Sequence, residues 1–165
     1  MFGQLRTEVN KVLETARSGK LIGSSLDAKI YLHSSDADLS SKLHETCASS
    51  NDADELHRIF ITSQVEILSS MGNGIAESIP YSGDCLIQGK KVWVGVSRAD
   101  GSKCERCWNY STKVGSFSEH PTLCSRCYNV VGVQPLPVVA AVEEMFVLAV
   151  HEYRVISFGF VLTYL

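Results

Sequence analysis

Apolar residues in the first eighteen positions of the chain recur with the period of an α-helix. They fall on one helical face, with polar residues on the other: Leu5, Val9, Val12, Leu13 and Ala16. Gly19, which follows Ser18, predicts the end of this helix. Because the apolar face starts in the first turn, the helix needs a partner surface that covers it.

Later segments have the two-residue period or the composition of β-strands. Residues 26–32 alternate apolar and polar side chains, which is typical of a half-buried strand. Residues 59–68 are rich in β-branched side chains, and residues 90–99 carry three alternating valines, at positions 92, 94 and 96. In this last segment, Trp93 falls on the face opposite to the valines. The pattern therefore predicts three strands.

The segments between these strands predict further helices and a long loop. Ser35 is placed to cap a second helix, on which Leu39 and Leu43 share a face. A short helical turn is expected from Asp52, and residues 69–89, with their glycines and proline, are expected to form a loop. Together these elements predict an α+β fold in which a small three-stranded sheet packs against two or three helices.

Two pairs of cysteines have the spacing of a metal site. Cys104 and Cys107 form one Cys-x-x-Cys pair, and Cys124 and Cys127 form a second after sixteen intervening residues. This spacing is typical of four thiolates that bind one Zn²⁺ ion in a tetrahedron. Two disulfides, a redox-active pair or an iron site would use the same residue type. We predict zinc, because residues 1–25 lack the apolar core of a secretory signal and a redox motif requires only one such pair.

Basic and aromatic residues are concentrated around these cysteines. Residues 85–131 contain seven basic and three acidic residues, whereas residues 26–84 contain three basic and ten acidic ones. A basic segment within a chain of formal net charge -3 favours a local contact with a polyanion. Trp108 is a candidate for stacking on an unpaired base. Candidates for binding RNA phosphates are Lys103, Arg106, Lys113 and Arg126.

The same residues also have structural interpretations. A zinc ribbon has little apolar core, so some of its aromatic residues are expected to pack around the metal site. Arg106 and Arg126 lie inside the two cysteine pairs and are placed to donate hydrogen bonds to sulfur. His120 is not expected to bind the metal, because four cysteines complete the ligand set.

Four stretches of the chain carry motifs that occur together in one known protein family. Residues 13–29 contain Lys-Leu-Ile-Gly-Ser-Ser-Leu, residues 60–66 contain Ser-Gln-Val, and residues 103–108 and 120–127 contain the cysteine pairs. These stretches resemble the C-terminal part of bacterial-type isoleucyl-tRNA synthetases, and the resemblance covers residues 4–131. The two stretches with the cysteine pairs, taken alone, also resemble the zinc finger of formamidopyrimidine-DNA glycosylases.

The resemblance implies a zinc-binding and tRNA-binding C-terminal fragment of an isoleucine-tRNA ligase. In that family the region lies beyond the anticodon-binding helical bundle and supports the binding of isoleucine tRNA near the anticodon arm. The family pattern carries over to the four cysteines, as ligands of one zinc ion, and to the neighbouring Arg106 and Trp108. The expected partners are isoleucine tRNA and the rest of a full-length synthetase, with no DNA and no membrane.

The catalytic motifs of that family, His-Ile-Gly-His and Lys-Met-Ser-Lys-Ser, do not occur in this sequence. The resemblance therefore assigns ATP to a catalytic domain outside this chain, and the chain alone is expected to be inactive in aminoacylation. Because the first helix begins at the start of the chain, we expect a longer parent protein. Residues 1–25 do not resemble a targeting peptide, so the location is expected to be cytoplasmic in a bacterium and mitochondrial or chloroplast in a eukaryote.

We expect the chain to divide into three segments. These are an α+β subdomain of the anticodon region (1–99), a four-cysteine zinc ribbon (100–131) and a divergent apolar tail (132–165). The apolar runs of the tail are each too short to span a bilayer, so a membrane span is not expected. Aberrant splicing or read-through is the alternative origin of such a tail.

Two other functions fit parts of the pattern. A structural or protein-docking module would use zinc only as a substitute for an apolar core. A DNA-glycosylase-type finger would need an N-terminal nucleophile, which Met1-Phe2-Gly3 does not supply.

Overall fold

The computed structural model describes residues 1–47, 55–72 and 74–132. The helices are α1 (Phe2–Ser18), α2 (Ala37–Cys47), α3 (Glu55–Phe60), α4 (Ile75–Ser78) and α5 (Ser125–Gly132). The strands are β1 (Ala28–Ser34), β2 (Gln64–Ile67), β3 (Tyr81–Ile87), β4 (Lys90–Arg98), β5 (Ser102–Lys103) and β6 (Tyr110–Ser111). Residues 1–130 form one compact unit, and all contacts described below lie within it. The predicted helical turn at Asp52 lies outside the described residues, as does the predicted apolar tail except for Gly132.

A four-stranded mixed sheet forms the centre of the fold, in the order β2-β1-β4-β3. β1 runs parallel to β2 and antiparallel to β4, and β3 runs antiparallel to β4. This architecture confirms the predicted α+β class. The predicted number of three strands is wrong, because β3 lies inside the segment predicted to form a loop.

A two-residue turn joins β3 to β4. Ile87 pairs with Lys90, and the residues between them, Gln88 and Gly89, have φ angles of 53° and 78°. Positive φ at both central positions is typical of a type I′ hairpin turn. Gln is not a characteristic residue of this turn, so the local sequence resembles an ordinary loop and β3 is recognisable only by its pairing with β4.

The segment predicted to form a strand over 59–68 divides into a helix and a shorter strand. Leu56 and Phe60 lie one turn apart on α3, and their side chains are 0% and 2% exposed. Ile61 then adopts a φ of 57°, which turns the chain towards β2. The β-branched residues favour a strand locally, but burial of one helical face against the core decides the structure.

The predicted first helix is confirmed, and it ends at Ser18. Its buried residues are Leu5, Val9, Leu13 and Ala16. Gly19 does not adopt a left-handed conformation, since its φ is -77°. Its importance lies in packing, because a Cβ at this position would lie 1.7 Å from the hydroxyl oxygen of Tyr81 on β3.

The second helix is capped by Asp36 and not by the predicted Ser35. The Asp36 carboxylate accepts a hydrogen bond from the backbone N–H of Leu39 at 2.9 Å. The same carboxylate pairs with the ammonium group of Lys90 on β4 at 2.6 Å. Since Lys90 is distant in the sequence, the local pattern does not distinguish the two neighbouring capping residues.

The main apolar core lies between the sheet and the first three helices. Ile30 and Leu32 on β1 and Val94 and Val96 on β4 contribute side chains that are at most 1% exposed. Trp93 lies on the opposite face, as predicted, where its ring covers Gly95 so closely that a Cβ there would lie 2.5 Å from it. None of the helices in the described part of the chain is both long and apolar enough to cross a membrane.

Candidate metal centre

The first cysteine pair lies in the loop of a short β-hairpin. Strands β5 and β6 are antiparallel, with Lys103 paired to Tyr110. Within the loop, the backbone N–H of Trp108 donates to the carbonyl oxygen of Cys104 at 2.9 Å, and the N–H of Cys104 donates to the carbonyl oxygen of Asn109 at 2.9 Å. These bonds close a tight turn that directs the Cys104 and Cys107 side chains towards one point.

The second cysteine pair lies at the start of α5. Cys124 immediately precedes the helix, and Cys127 lies in its first turn. The backbone N–H of Cys124 donates to the sulfur of Cys104 at 3.4 Å, which joins the two pairs. Leu123, 9% exposed, packs beside the cysteines, so the second pair is held by helix geometry and by a small apolar cluster.

The structure brings the four predicted ligands together. Their sulfur atoms all lie within 4.8 Å of one another, and Cys104, Cys124 and Cys127 are buried. The sulfurs of Cys107 and Cys124 are 3.7 Å apart. A tetrahedron with Zn–S bonds of about 2.3 Å has sulfur–sulfur edges of about 3.8 Å, whereas a disulfide bond measures about 2.05 Å. The donor set, its spacing and its burial therefore fit a zinc ion, and all four cysteines are free thiols.

The protein environment affects the four thiols differently. Burial and hydrogen bonds from the Cys124 thiol to neighbouring sulfurs raise the pKa of Cys124 to about 12. Burial also opposes ionisation of Cys104, but the backbone N–H groups of Cys107, Cys124 and Arg106 donate to its sulfur and lower its pKa to about 6. The backbone thus stabilises a thiolate at Cys104, while buried Cys124 requires a cation to ionise at neutral pH.

The two arginines predicted to bind RNA lie beside the sulfur atoms. The Nη1 atom of Arg106 is 3.7 Å from the sulfur of Cys127. Burial lowers the pKa of Arg126, but a hydrogen bond to Cys107 and the nearby sulfurs outweigh burial and raise it. Both guanidinium groups therefore offset the negative charge of a four-thiolate site, which is the structural role expected from their positions.

Trp108 is the large aromatic residue that the ribbon exposes. It is 60% exposed, and its φ of 67° is unusual for a residue with a side chain. The ammonium group of Lys103 lies 4.9 Å from the centre of the Trp108 ring. The sequence predicted both residues as candidates for RNA binding but did not predict this cation–π contact between them. Lys113 is exposed on the turn after β6, where its backbone N–H donates to Ser111 Oγ at 3.1 Å.

The other aromatic residues of the ribbon pack on each other. The rings of Phe117 and Tyr128 are stacked with their centres 4.1 Å apart. The His120 ring packs edge-on to the Tyr128 ring, with 6.1 Å between the ring centres. The Tyr128 hydroxyl donates to the Glu119 carboxylate at 3.3 Å. These residues stabilise the ribbon, as expected for a fold with little core, and His120 is not part of the sulfur cluster.

Comparison with known proteins relates the centre to a known type of zinc finger and the chain to isoleucine--tRNA ligases. Residues 101–130 match a family model described as a zinc finger found in FPG and IleRS. The chain is 59% identical over 143 residues to the chloroplastic/mitochondrial isoleucine--tRNA ligase of Arabidopsis thaliana, which covers 86% of this chain and 13% of that protein. The chain corresponds to a C-terminal part of isoleucine--tRNA ligases.

Isoleucine--tRNA ligases from two further organisms show the same relation. The protein from Rippkaea orientalis is 49% identical over 128 residues and covers 75% of this chain, and that from Microcystis aeruginosa is 47% identical over 130 residues and covers 76%. The chain spans 13% of the length of each of these ligases. The similarity therefore concerns one segment of an isoleucine--tRNA ligase and includes the four-cysteine finger.

Proposed function

We propose that this chain is the zinc-stabilised, tRNA-binding segment of an isoleucine--tRNA ligase, and that it contacts isoleucine tRNA near the anticodon arm. The observation that carries the proposal is the group of four cysteine sulfurs within 4.8 Å, inside a finger type found in IleRS. The neighbouring exposed tryptophan and cations supply an RNA-binding surface.

One Zn²⁺ ion fits the four sulfurs. Cys104, Cys107, Cys124 and Cys127 would hold it, and the ion would replace the apolar core that the ribbon lacks. Arg106 and Arg126 would partly neutralise the charge of the four thiolates and leave the ribbon surface favourable for phosphate.

Trp108, Lys103 and Lys113 form the proposed RNA-contact surface. An unpaired base stacked on an exposed aromatic ring contributes about 1–3 kcal/mol to binding. Lys103 already lies over the Trp108 ring and is placed to meet the phosphate next to a stacked base. Arg106 and Arg126 are proposed to add to the positive potential while they remain bonded to sulfur.

The rest of the reaction belongs to the rest of the ligase. The chain contains neither His-Ile-Gly-His nor Lys-Met-Ser-Lys-Ser, so ATP and amino-acid activation are assigned to the catalytic domain of a full-length enzyme. Like its relative from Arabidopsis thaliana, which is chloroplastic/mitochondrial, the parent protein is proposed to act in an organelle.

The test is the affinity of the full chain for isoleucine tRNA and for a second tRNA with a different anticodon, measured with and without a zinc chelator. We expect tighter binding of isoleucine tRNA, and loss of that preference on chelation. Trp108→Ala is expected to weaken binding about tenfold through loss of stacking, while Lys42→Ala on α2 serves as the control. Equal binding of both tRNAs, unchanged by chelation or by Trp108→Ala, would instead favour a structural or protein-docking module.

A further inference from the structure

Within residues 100–130, the zinc ribbon has an apolar core that is separate from that of the α+β body (the described part of residues 1–99). In the described residues, the ribbon cluster contains Cys104, Leu123, Cys124 and Cys127, and it shares no member with the core of the body. A polar cleft of about 100 Å³ lies between them, lined on the body side by Ser63 and Gln64. No buried apolar cluster of the described residues therefore spans the two parts, and the polar contacts between them are candidates to set the direction of the ribbon.

Ser63 provides the first of these contacts. Its Oγ accepts a hydrogen bond from the backbone N–H of Tyr110, on strand β6 of the ribbon, at 2.7 Å. The hydroxyl proton of Ser63 is donated to the carbonyl oxygen of Leu26 in the body. Because the Tyr110 N–H can only donate, both roles of the hydroxyl are fixed, and one side chain links the two parts.

Gln64 provides the second contact. Its side-chain Oε1 accepts from the backbone N–H of Asp100 at 2.8 Å, and its Nε2 donates to the carbonyl oxygen of Asp100 at 3.0 Å. The amide thus binds both polar groups of one backbone residue, in the manner of a neighbouring β-strand. Asp100 immediately precedes Gly101, so this pair of bonds fixes the chain where it enters the ribbon.

An ion pair supports the same junction. Lys29 on β1 contacts the Asp100 carboxylate at 2.9 Å and the Glu66 carboxylate at 2.9 Å. The Lys29 side chain is 17% exposed, so it is screened less from these partners than a fully exposed lysine would be. Tyr110 and Asp100, one on each side of the first cysteine pair, are therefore both attached to the edge of the body.

We propose that Ser63 and Gln64 are positioning residues, which fix the direction of the zinc ribbon against the α+β body and so pre-orient Trp108 and Lys113 for RNA. The consequence for RNA rests on the proposed function, whereas the orientation itself does not. A ribbon held in one direction loses less conformational freedom when RNA binds. This assigns a role to the Ser-Gln-Val stretch, which contributes no metal ligand and no exposed ring.

The experiment compares the full zinc-loaded chain with the double variant Ser63→Ala, Gln64→Ala. Ser41→Ala, Gln4→Ala is the matched control, because it removes the same two side-chain types at positions that are exposed on α2 and α1. Two single variants test the hydroxyl of Ser63. Ser63→Thr retains the hydroxyl and is expected to keep the ribbon direction of the unmutated chain, whereas Ser63→Ala is expected to lose it. Residual dipolar couplings give the direction of the ribbon relative to the body, and competition with a chelator gives the zinc affinity.

In the double variant we expect the couplings of the ribbon to be averaged relative to those of the body, with zinc affinity within about twofold of the unmutated chain. Amide exchange at Tyr110 and Asp100 should become faster, since both N–H groups lose their acceptors. Affinity for isoleucine tRNA should fall about tenfold through the added ordering cost, with no change in the control.

An unchanged ribbon direction in the double variant would overturn the proposal. A parallel loss of zinc affinity would also overturn it, because the two residues would then act through folding of the ribbon. If the unmutated chain does not prefer isoleucine tRNA, the proposed function fails, yet the dipolar couplings still decide whether Ser63 and Gln64 set the direction.

Discussion

At the scale of single residues, the geometry around the cysteines depends on Gly101 and Trp108, which both have positive φ angles. Gly101 has a φ of 84°, and a Cβ there would lie 2.4 Å from the backbone of Ser111 on the paired strand. Trp108, with its φ of 67°, accepts a rarely used backbone conformation and presents its ring to solvent. A hydrogen bond from its N–H to Cys104 holds that conformation in the metal-site turn.

Gly101→Ala is predicted to destabilise the ribbon for two reasons, and Gly115→Ala separates them. Gly115 also has a positive φ, of 95°, but has nothing within 4 Å of its Cβ position, so alanine there should cost only about 1–2 kcal/mol. At Gly101 the overlap with Ser111 should add about 1–3 kcal/mol. Amide exchange of the ribbon in the zinc-loaded chain measures the loss of stability in each variant. Equal losses in Gly101→Ala and Gly115→Ala would show that the contact with Ser111 relaxes without cost.

At the scale of elements, contacts between distant segments correct the local preferences of the chain. Residues 59–60 belong to α3 and not to a strand, because Leu56 and Phe60 are buried together on one helical face. β3 forms because β4 supplies its hydrogen-bond partners. The start of α2 at Ala37 is stabilised by Asp36, whose carboxylate binds both the helix and β4.

Asp36, which caps α2, is predicted to make the stability of the fold depend on pH. A hydrogen bond from Lys90 and the backbone N–H of Leu39 lower the pKa of Asp36 below its usual 3.8. A carboxyl group with a lowered pKa in the folded state stabilises the fold fully above its unfolded-state pKa, and this contribution is lost as the pH falls through the folded-state value. Unfolding by urea between pH 2 and pH 6 should therefore show a smaller acid-induced loss in Asp36→Asn than in the unmutated chain. An identical pH dependence in the two proteins would contradict this role.

At the scale of the whole described molecule, the body and the ribbon are stabilised by different means. The body buries a continuous apolar core between the sheet and the helices, whereas the buried cluster of the ribbon consists of Leu123 and three of the cysteines. The junction at Ser63, Gln64 and Lys29 is polar. The body should consequently fold without metal, and the ribbon should not.

Removal of zinc is predicted to unfold the ribbon selectively. After chelation, amide signals from residues 100–130 should collapse to unfolded positions, while those of α1 and the four-stranded sheet remain dispersed, because the core of the body contains no metal ligand. Cys107→Ser should give the same result without chelator. Addition of Zn²⁺, but not Mg²⁺, should restore the unmutated chain. Loss of structure in both parts together would contradict independent stabilisation.

Sequence by itself determined the features that depend on local spacing. The cysteine pairs, the face and end of α1, and the alternation in β1 and β4 follow from periods of two, three and four residues, which backbone geometry imposes directly. Only the tertiary structure decided where β3 pairs, which residue caps α2, and why Gly19 is glycine. It also joined Ser63 and Gln64 to the ribbon. These features depend on atoms that are far apart in the chain, so no local pattern encodes them, and only the folded arrangement brings donors to acceptors.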